Sequence, residues 1–170
     1  MCLLVMVSDP GSEEPLVVGA NRDERLDRPA LTMTVLRGRQ PRILGGRDLL
    51  AGGTWLAVNE HGVVAGLTNT PTGEGRDATR RSRGELPLRA ARFADASQAV
   101  DWLAAGVRPE DYNPAWMLVG DRRSLFAVTI AGARPAVTEL APGTHVVENR
   151  PPGTDSPKVR HVLEQLRRSA

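Results

Sequence analysis

Short apolar runs separated by dense polar stretches set the pattern of this chain. Residues 2 to 8 and 15 to 20 are apolar runs that read as buried strands, with the turn cluster Ser8-Asp9-Pro10-Gly11-Ser12 between them. A weakly alternating strand is expected over residues 32 to 36. The glycine groups Gly45-Gly46-Arg47-Asp48 and Ala51-Gly52-Gly53 read as the two sides of a loop. This loop lacks the Gly-Lys-Ser/Thr ending of a phosphate loop. Residues 54 to 58 and 62 to 67 are strands joined by Asn59-Glu60-His61, a hairpin signal. Residues 72 to 83 are rich in Gly, Thr and Arg and are expected to form a mobile loop.

Helical patterns follow. Residues 84 to 93 carry helix formers around Pro87, which suits a first turn. Asp95 or Ser97 caps a helix through Ala104 that puts Ala99, Val100, Leu103 and Ala104 on one face, and Gly106 ends it. Strands are expected over 115 to 119, 125 to 130 and 144 to 147. A last helix has Ser156 as N-cap, Pro157 at its first position and Val159, Val162, Leu163 and Leu166 at helical spacing. Strands, helices, strands and a final helix imply a layered α+β fold in one domain over residues 1 to 170.

Composition narrows the function classes. The 170 residues are 41% hydrophobic, enough for a core, and carry a net charge of only +2. The sequence pI of about 9.3 therefore reflects near balance rather than a nucleic-acid footprint. Aromatic content of 4% argues against a stacking platform for single strands. Lys158 is the only lysine, so the positive charge is arginine, which suits carboxylate and phosphate recognition. Cys2 is the only cysteine, which excludes an intrachain disulfide and multi-cysteine zinc patterns. No signal peptide is read at the N-terminus, and no apolar run approaches the roughly 20 residues of a membrane span. A cytoplasmic protein without an integral membrane segment is the expectation.

The chemistry concentrates at Asn21-Arg22-Asp23-Glu24, which continues into Arg25-Leu26-Asp27-Arg28-Pro29. Polar groups at the mouth of a buried strand are costly unless paired. If the first two strands form a hairpin, Cys2 lies at the same end as Asn21, Arg22 and Asp23. A thiol, an amide, a guanidinium and a carboxylate then meet. Against this stand plainer roles. A lone cysteine on an apolar strand is commonly a small core residue. Arg22 and Asp23 can form a buried ion pair that fixes the loop. Asn69 before Thr70-Pro71, and Asn149 before Arg150-Pro151, are also good turn residues. Trp55 reads as core packing, His61 as solvated, His145 as structural, and Arg76, Arg80, Arg81 and Arg83 as a solvated run that could meet an anion.

Several segments in order resemble the N-R-D-E-motif family, also called the transport and Golgi organisation protein 2 family. They are Met1-Cys2-Leu3-Leu4-Val5, Ala20-Asn21-Arg22-Asp23-Glu24 with Arg28-Pro29, and Gly46-Arg47-Asp48-Leu49. Ala51-Gly52-Gly53-Thr54-Trp55-Leu56, Leu67-Thr68-Asn69, Ser82-Arg83-Gly84-Glu85-Leu86, Leu140-Ala141-Pro142-Gly143-Thr144-His145 and Pro157-Lys158-Val159 complete the series. The resemblance implies an N-terminal-nucleophile (Ntn) hydrolase-like αββα sandwich, lacking the C-terminal strands of longer relatives. A more distant similarity is to the choloylglycine hydrolase and penicillin acylase group. It implies Cys2 as a nucleophile freed by removal of Met1, with Asp23 as the carboxylate that orients it. It also implies Asn69 as the oxyanion-hole amide and Asn149 as a second site asparagine. Ala20 stands where that group has an arginine, and Arg22 would substitute.

Three functions follow. The first is a cysteine hydrolase or acyltransferase for a small amide or thioester. Its base is the α-amino group of Cys2, with a pKa of about 7.7 to 8.0. No cofactor is required and no metal is expected. The second, implied by the family, is a non-catalytic carrier of haem, acyl-CoA or lipid, in which Arg22, Arg25 and Arg28, with Asn21, hold the ligand's anionic groups. The third is a scaffold with a relic site. A small-molecule ligand, no nucleic acid and a homodimer across an open sheet edge are the expected partners. Asp23→Ala is expected to impair turnover or ligand binding, because it removes a charge partner at the site. Unchanged turnover, binding and stability in that variant would place the site elsewhere.

Overall fold

The structure, a computed structural model, describes residues 2–71, 73 and 75–169. Met1 with its removal, Thr72 and Glu74 of the expected loop, and Ala170 lie outside the described residues.

Two antiparallel sheets form the frame. The smaller has the order β10-β1-β2, built from β1 (Leu3–Ser8), β2 (Leu16–Asn21) and β10 (Gly143–Glu148). The larger runs β3-β4-β5-β6-β7-β8-β9. Its strands are β3 (Ala30–Arg37), β4 (Ile43–Asp48), β5 (Leu56–Asn59), β6 (Val64–Asn69), β7 (Ala115–Gly120), β8 (Leu125–Ile130) and β9 (Ala136–Leu140). Helices α1 (Glu85–Ala90) and α2 (Ala96–Gly106) lie on one face of the larger sheet, and α3 (Pro157–Ser169) packs against β10.

The two-residue period of a strand explains the layering. Along β7, Met117 and Val119 join Leu86, Val100 and Leu103 of α1 and α2 in one core. Trp116 and Leu118 point the other way, against Leu4, Met6 and Val147 of the small sheet. Every residue of β7 is buried, because each face is covered by a different layer. The result is an α+β stack of α1 and α2, large sheet, small sheet and α3, the sandwich expected from the resemblance.

The helix signals hold. The Asp95 side chain accepts the Gln98 N–H at 2.8 Å, and α2 ends at Gly106. Ser156 Oγ accepts the Val159 N–H at 3.1 Å. None of the helices among the described residues is long and apolar enough to cross a membrane.

Two strands depart from the sequence pattern. Residues 45 to 48, expected in a loop, are the end of β4. Glycine in a strand marks a close approach of neighbouring atoms. A Cβ on Gly46 would meet the Trp55 ring at 2.2 Å, and one on Gly45 would meet the Leu56 carbonyl oxygen at 2.4 Å. The glycines admit these neighbours and are compatible with the ladder. Strand β9 is a largely exposed strand paired only to β8, and its apolar alternation is too weak to read.

The expected loop of residues 72 to 83 has no helix or named strand in its described part. Its second half is strapped to the segment before β7. Asp77 N–H donates to Asn113 Oδ1 at 2.9 Å, and Asn113 Nδ2 returns to the Asp77 carbonyl at 2.8 Å. Arg81 N–H donates to the Asp111 carbonyl at 2.9 Å, and Arg83 Nη1 to the Pro114 carbonyl at 3.0 Å. The Tyr112 hydroxyl donates to Glu85, so the strap and the start of α1 share one anchor. Burial, and then the Glu85 carboxylate, push the Tyr112 phenol up to about 12.

The strap meets the large sheet at a glycine contact. Thr54 N–H donates to the Gly84 carbonyl at 2.9 Å, and a Cβ on Gly53 would lie 2.5 Å from the Gly84 carbonyl carbon. Backbone cannot yield as a side-chain tip can. Gly53→Ala is expected to lower stability by about 1–3 kcal/mol in urea unfolding. Gly19→Ala, whose Cβ meets nothing within 4 Å, should leave it unchanged or slightly raised.

Candidate active site

Strand register brings the first site residues together. Leu3 pairs with Asn21 on β2 and with Glu148 on β10. Continued by one residue, that register sets Cys2 between Arg22 and Asn149. The hairpin expected from the sequence therefore forms, and β10 adds a third strand to the same end. The large sheet meets this end through β6. Thr68 Oγ1 donates to the Glu148 carbonyl at 3.0 Å, and Asn149 Nδ2 donates to the Asn69 carbonyl.

A cavity of about 280 Å³ opens where the sheets meet, lined among others by Cys2, Arg22, Arg28, Asn69, Trp55 and Arg83. The Cys2 thiol is half-buried, with its sulfur 4.0 Å from the Asp23 carbonyl oxygen.

The anionic anchor of the cavity is Asp48, at the end of β4. Arg28 donates to its Oδ2 through Nε at 2.8 Å and approaches through Nη2 at 2.8 Å. Arg22 Nη2 stands 3.5 Å from the same oxygen, and the backbone N–H groups of Leu50 and Ala51 donate to Oδ1 at 3.0 Å each. Burial works to raise the Asp48 carboxyl. The Ala51 N–H, Arg28 and the Leu50 N–H outweigh it and hold the group below the usual carboxylate range. Glu24 gives the same two arginines a second, longer partner, at 3.9 Å from Arg22 and 3.7 Å from Arg28. The Arg22 guanidinium also lies over the Trp55 ring, 4.8 Å from its centroid.

The other expected site residues divide. Asn21 Nδ2 donates to Asp23 Oδ1 at 2.8 Å, and Lys158 of α3 reaches Asp23 Oδ2 at 3.2 Å. The Asp23 carboxylate thus faces Asn21 and Lys158, and an Arg22–Asp23 ion pair is replaced by Arg22 with Asp48 and Glu24. Arg25 leaves the site. Its side chain is 78% exposed and pairs with Asp27 at 2.6 Å across a tight turn that Arg28 N–H closes on the Arg25 carbonyl. Asn149 is not among the residues lining the cavity; it holds the backbone of Asn69, and its own Oδ1 is buried without a hydrogen-bond partner among the described residues.

Asp48, Trp55, Arg83 and Asn113 line the cavity without having been assigned to it from sequence. Trp55, expected as core packing, is a cavity wall as well. For Asp48, Trp55 and Arg83 the one available signal was the run of family-like segments containing them; Asn113 lies in none of those segments. His145 lies away from this cavity, its Nε2 2.8 Å from the Ala141 carbonyl oxygen. Among the described residues no cluster of three or more His, Cys, Asp or Glu side chains could hold a metal ion.

The family model described as Transport and Golgi organisation 2 matches residues 1–170. The Transport and Golgi organization 2 homolog of Mus musculus is 34% identical over 93 residues, covering 51% of this chain and 33% of that protein. The Homo sapiens homolog is 36% identical over 93 residues, with the same 51% and 33% coverage. The matched stretch thus spans about a third of each curated relative. Among solved structures, a Caenorhabditis elegans N-acylethanolamine-hydrolyzing acid amidase ortholog matches with a TM-score of 0.69 at 13% identity, covering 94% of this chain and 73% of that one. A mutant of the conjugated bile acid hydrolase from Clostridium perfringens matches with a TM-score of 0.58 at 12% identity, covering 98% and 57%. At these identities the two structures speak to the fold alone, and they make it Ntn-hydrolase-like.

The Asp48 carboxylate titrates lower in the folded chain than in the unfolded one. Its stabilisation is therefore complete above the unfolded pKa of about 3.9 and is lost as pH falls through the lower folded value. Asp48→Asn should cost roughly 3 kcal/mol at pH 7, because Arg28 and Arg22 lose a largely buried partner. The gap between variant and wild type should shrink below about pH 4. Urea unfolding at pH 7 and pH 3 checks both statements.

Proposed function

As the chain belongs to the Transport and Golgi organisation 2 family, we propose that it is a cysteine N-terminal-nucleophile hydrolase or acyltransferase for a small amide or thioester. The observation that carries this is the shared cavity of Cys2 and Asn69 at the junction of the two sheets. A half-buried thiol beside an amide and several guanidiniums is poorly explained as core filling.

In this reading, removal of Met1 leaves the α-amino group of Cys2 as the base. It takes the thiol proton as the sulfur attacks the substrate carbonyl. The developing oxyanion accepts a hydrogen bond from the Asn69 side-chain amide, a contribution of roughly 3 to 4 kcal/mol. The proton passes to the departing amine or thiolate. Water, or an acceptor amine or thiol, then attacks the acyl-cysteine, and Cys2 regains its proton. Asn149 serves as a positioning residue through the Asn69 backbone. Asp23 fixes the loop through Asn21 and Lys158. The cavity, about 280 Å³, is at the lower edge of the roughly 300–1,000 Å³ typical of ligand pockets, which favours a small acyl or amide group.

The arginine lining favours a second reading. The same cavity would bind haem, acyl-CoA or a lipid without cleaving it, with guanidiniums on propionates or phosphates. Haem would then be cargo, and Cys2 is the cavity residue able to face its iron.

Turnover of a panel of short acyl thioesters and N-acyl amides separates the two. Cys2→Ala is expected to reduce it to the background rate while leaving the urea midpoint close to wild type. Turnover that survives the substitution removes the nucleophile. A Soret band on adding haem, with no substrate turned over by the wild-type chain, moves the assignment to the carrier.

A further inference from the structure

The guanidiniums of the cavity are not equivalent. Arg22 and Arg28 share Asp48 and Glu24. Arg81 pairs with Glu85 at 2.8 Å. Arg83 has no carboxylate partner among the described residues; its Nη1 donates to the Pro114 carbonyl, a neutral group. Arg76, also in the lining, has none either. The two like charges sit close enough to oppose each other. Burial, and after it Arg76, push the Arg83 guanidinium below its usual range, while Cys2 acts the other way.

A partly buried charge without a counter-charge is unfavourable, and two together more so. The strap nevertheless holds Arg83 there through its bond to Pro114, and the Asp77–Asn113 bonds fix the backbone next to the exposed Arg76. Such rigid presentation of unpaired donors is what binding an oxyanion requires. The thiol opens onto the same cavity.

We infer that Arg83 and Arg76 form an oxyanion-group subsite beside Cys2, so that the substrate is a small amide or thioester bearing a carboxylate or a phosphate. The subsite itself is a matter of geometry; only the word substrate rests on the proposed cysteine chemistry. Arg83, the more buried, carries the larger share of the binding, and Arg76, exposed to solvent, the smaller.

Alkylation of Cys2 tests this without any turnover. Iodoacetate carries a carboxylate, and iodoacetamide is its neutral counterpart. The ratio of their rates cancels changes in thiol reactivity and reports how well the cavity receives the anion. Arg83→Gln is expected to lower the iodoacetate-to-iodoacetamide ratio about tenfold, the effect of losing one charge-assisted contact. Arg76→Gln should lower it about threefold. Arg122→Gln removes the same charge from an exposed turn between β7 and β8, at the far end of those strands from Asn69, and should leave the ratio unchanged. Ratios for Arg83→Gln and Arg76→Gln equal to the Arg122→Gln control overturn the subsite. If Arg83→Gln does not fold, the Arg76→Gln ratio decides alone. Inorganic phosphate and propionate, each titrated against iodoacetate at constant ionic strength, identify the preferred oxyanion by which competes at lower concentration. A lowered ratio in a chain whose turnover survives Cys2→Ala would keep the subsite and discard the hydrolase, so the two failures are distinct.

Discussion

Asp48 is the interaction on which the site depends. The polypeptide leaves the small sheet at Asn21 and enters the large sheet at Ala30, and the crossing segment carries Arg22, Glu24 and Arg28. Without a fixed anion at the end of β4, two partly buried arginines would keep only the longer contacts to Glu24. With it, one carboxylate takes Arg28 through two nitrogens, draws in Arg22 and closes the turn at Leu50 and Ala51. The side chain is only 15% exposed, so its interactions are screened far less than a surface pair. The crossing segment, the end of β4 and one wall of the cavity are thereby held together.

A second constraint is close approach. The Trp55 ring reaches Arg22 because it lies on Gly46, and the strap reaches the sheet because Gly53 and Gly84 have no side chains. Each contact costs conformational freedom in the unfolded chain, which glycine loses most on folding. What it provides is a wall of the cavity that no side chain occupies. The charges then fall into two sets. Those around Asp48 are charge-paired within the protein, although Arg22 Nη2 stays too far from Asp48 and Glu24 for a hydrogen bond, and they shape the cavity. On the strap, Arg80 pairs with Asp77 and Arg81 with Glu85, whereas Arg83 has no carboxylate partner among the described residues.

Much of the frame is written locally. The apolar runs of β1 and β2, the Asp95 and Ser156 caps and the spacing of Val159, Val162 and Leu163 all act within one or two turns of chain. Short-range sterics and hydrogen bonds are enough to specify them. The β1–β2 pairing followed from a turn between two apolar runs, although β2, expected to be buried, is largely exposed, and it placed Cys2 at the Asn21 end of β2. Local pattern misled where a distant neighbour overruled it. Gly45 and Gly46 look like loop residues until Leu56 and Trp55 are seen to occupy the space of their side chains. The strap is largely exposed, as a solvated loop would be, yet Asp77 on it is bonded to the distant Asn113.

The sequence by itself determined the α+β order, the helix ends, the family and the gathering of Cys2 with the Asn21–Asp23 end of β2. Tertiary structure decided which charge meets which. Asp48 lies twenty positions from Arg28, Lys158 lies 135 from Asp23, and Asn149 lies 80 from Asn69. Pairing at those separations depends on how sheets and helices stack, and no periodicity records it. The same geometry sent Arg25 into solvent with Asp27 and left Arg83 in the cavity without a carboxylate partner among the described residues. The physical reason is that an arginine's partner is chosen by distance and burial in the folded chain, whereas its position in sequence states only that a charge is there.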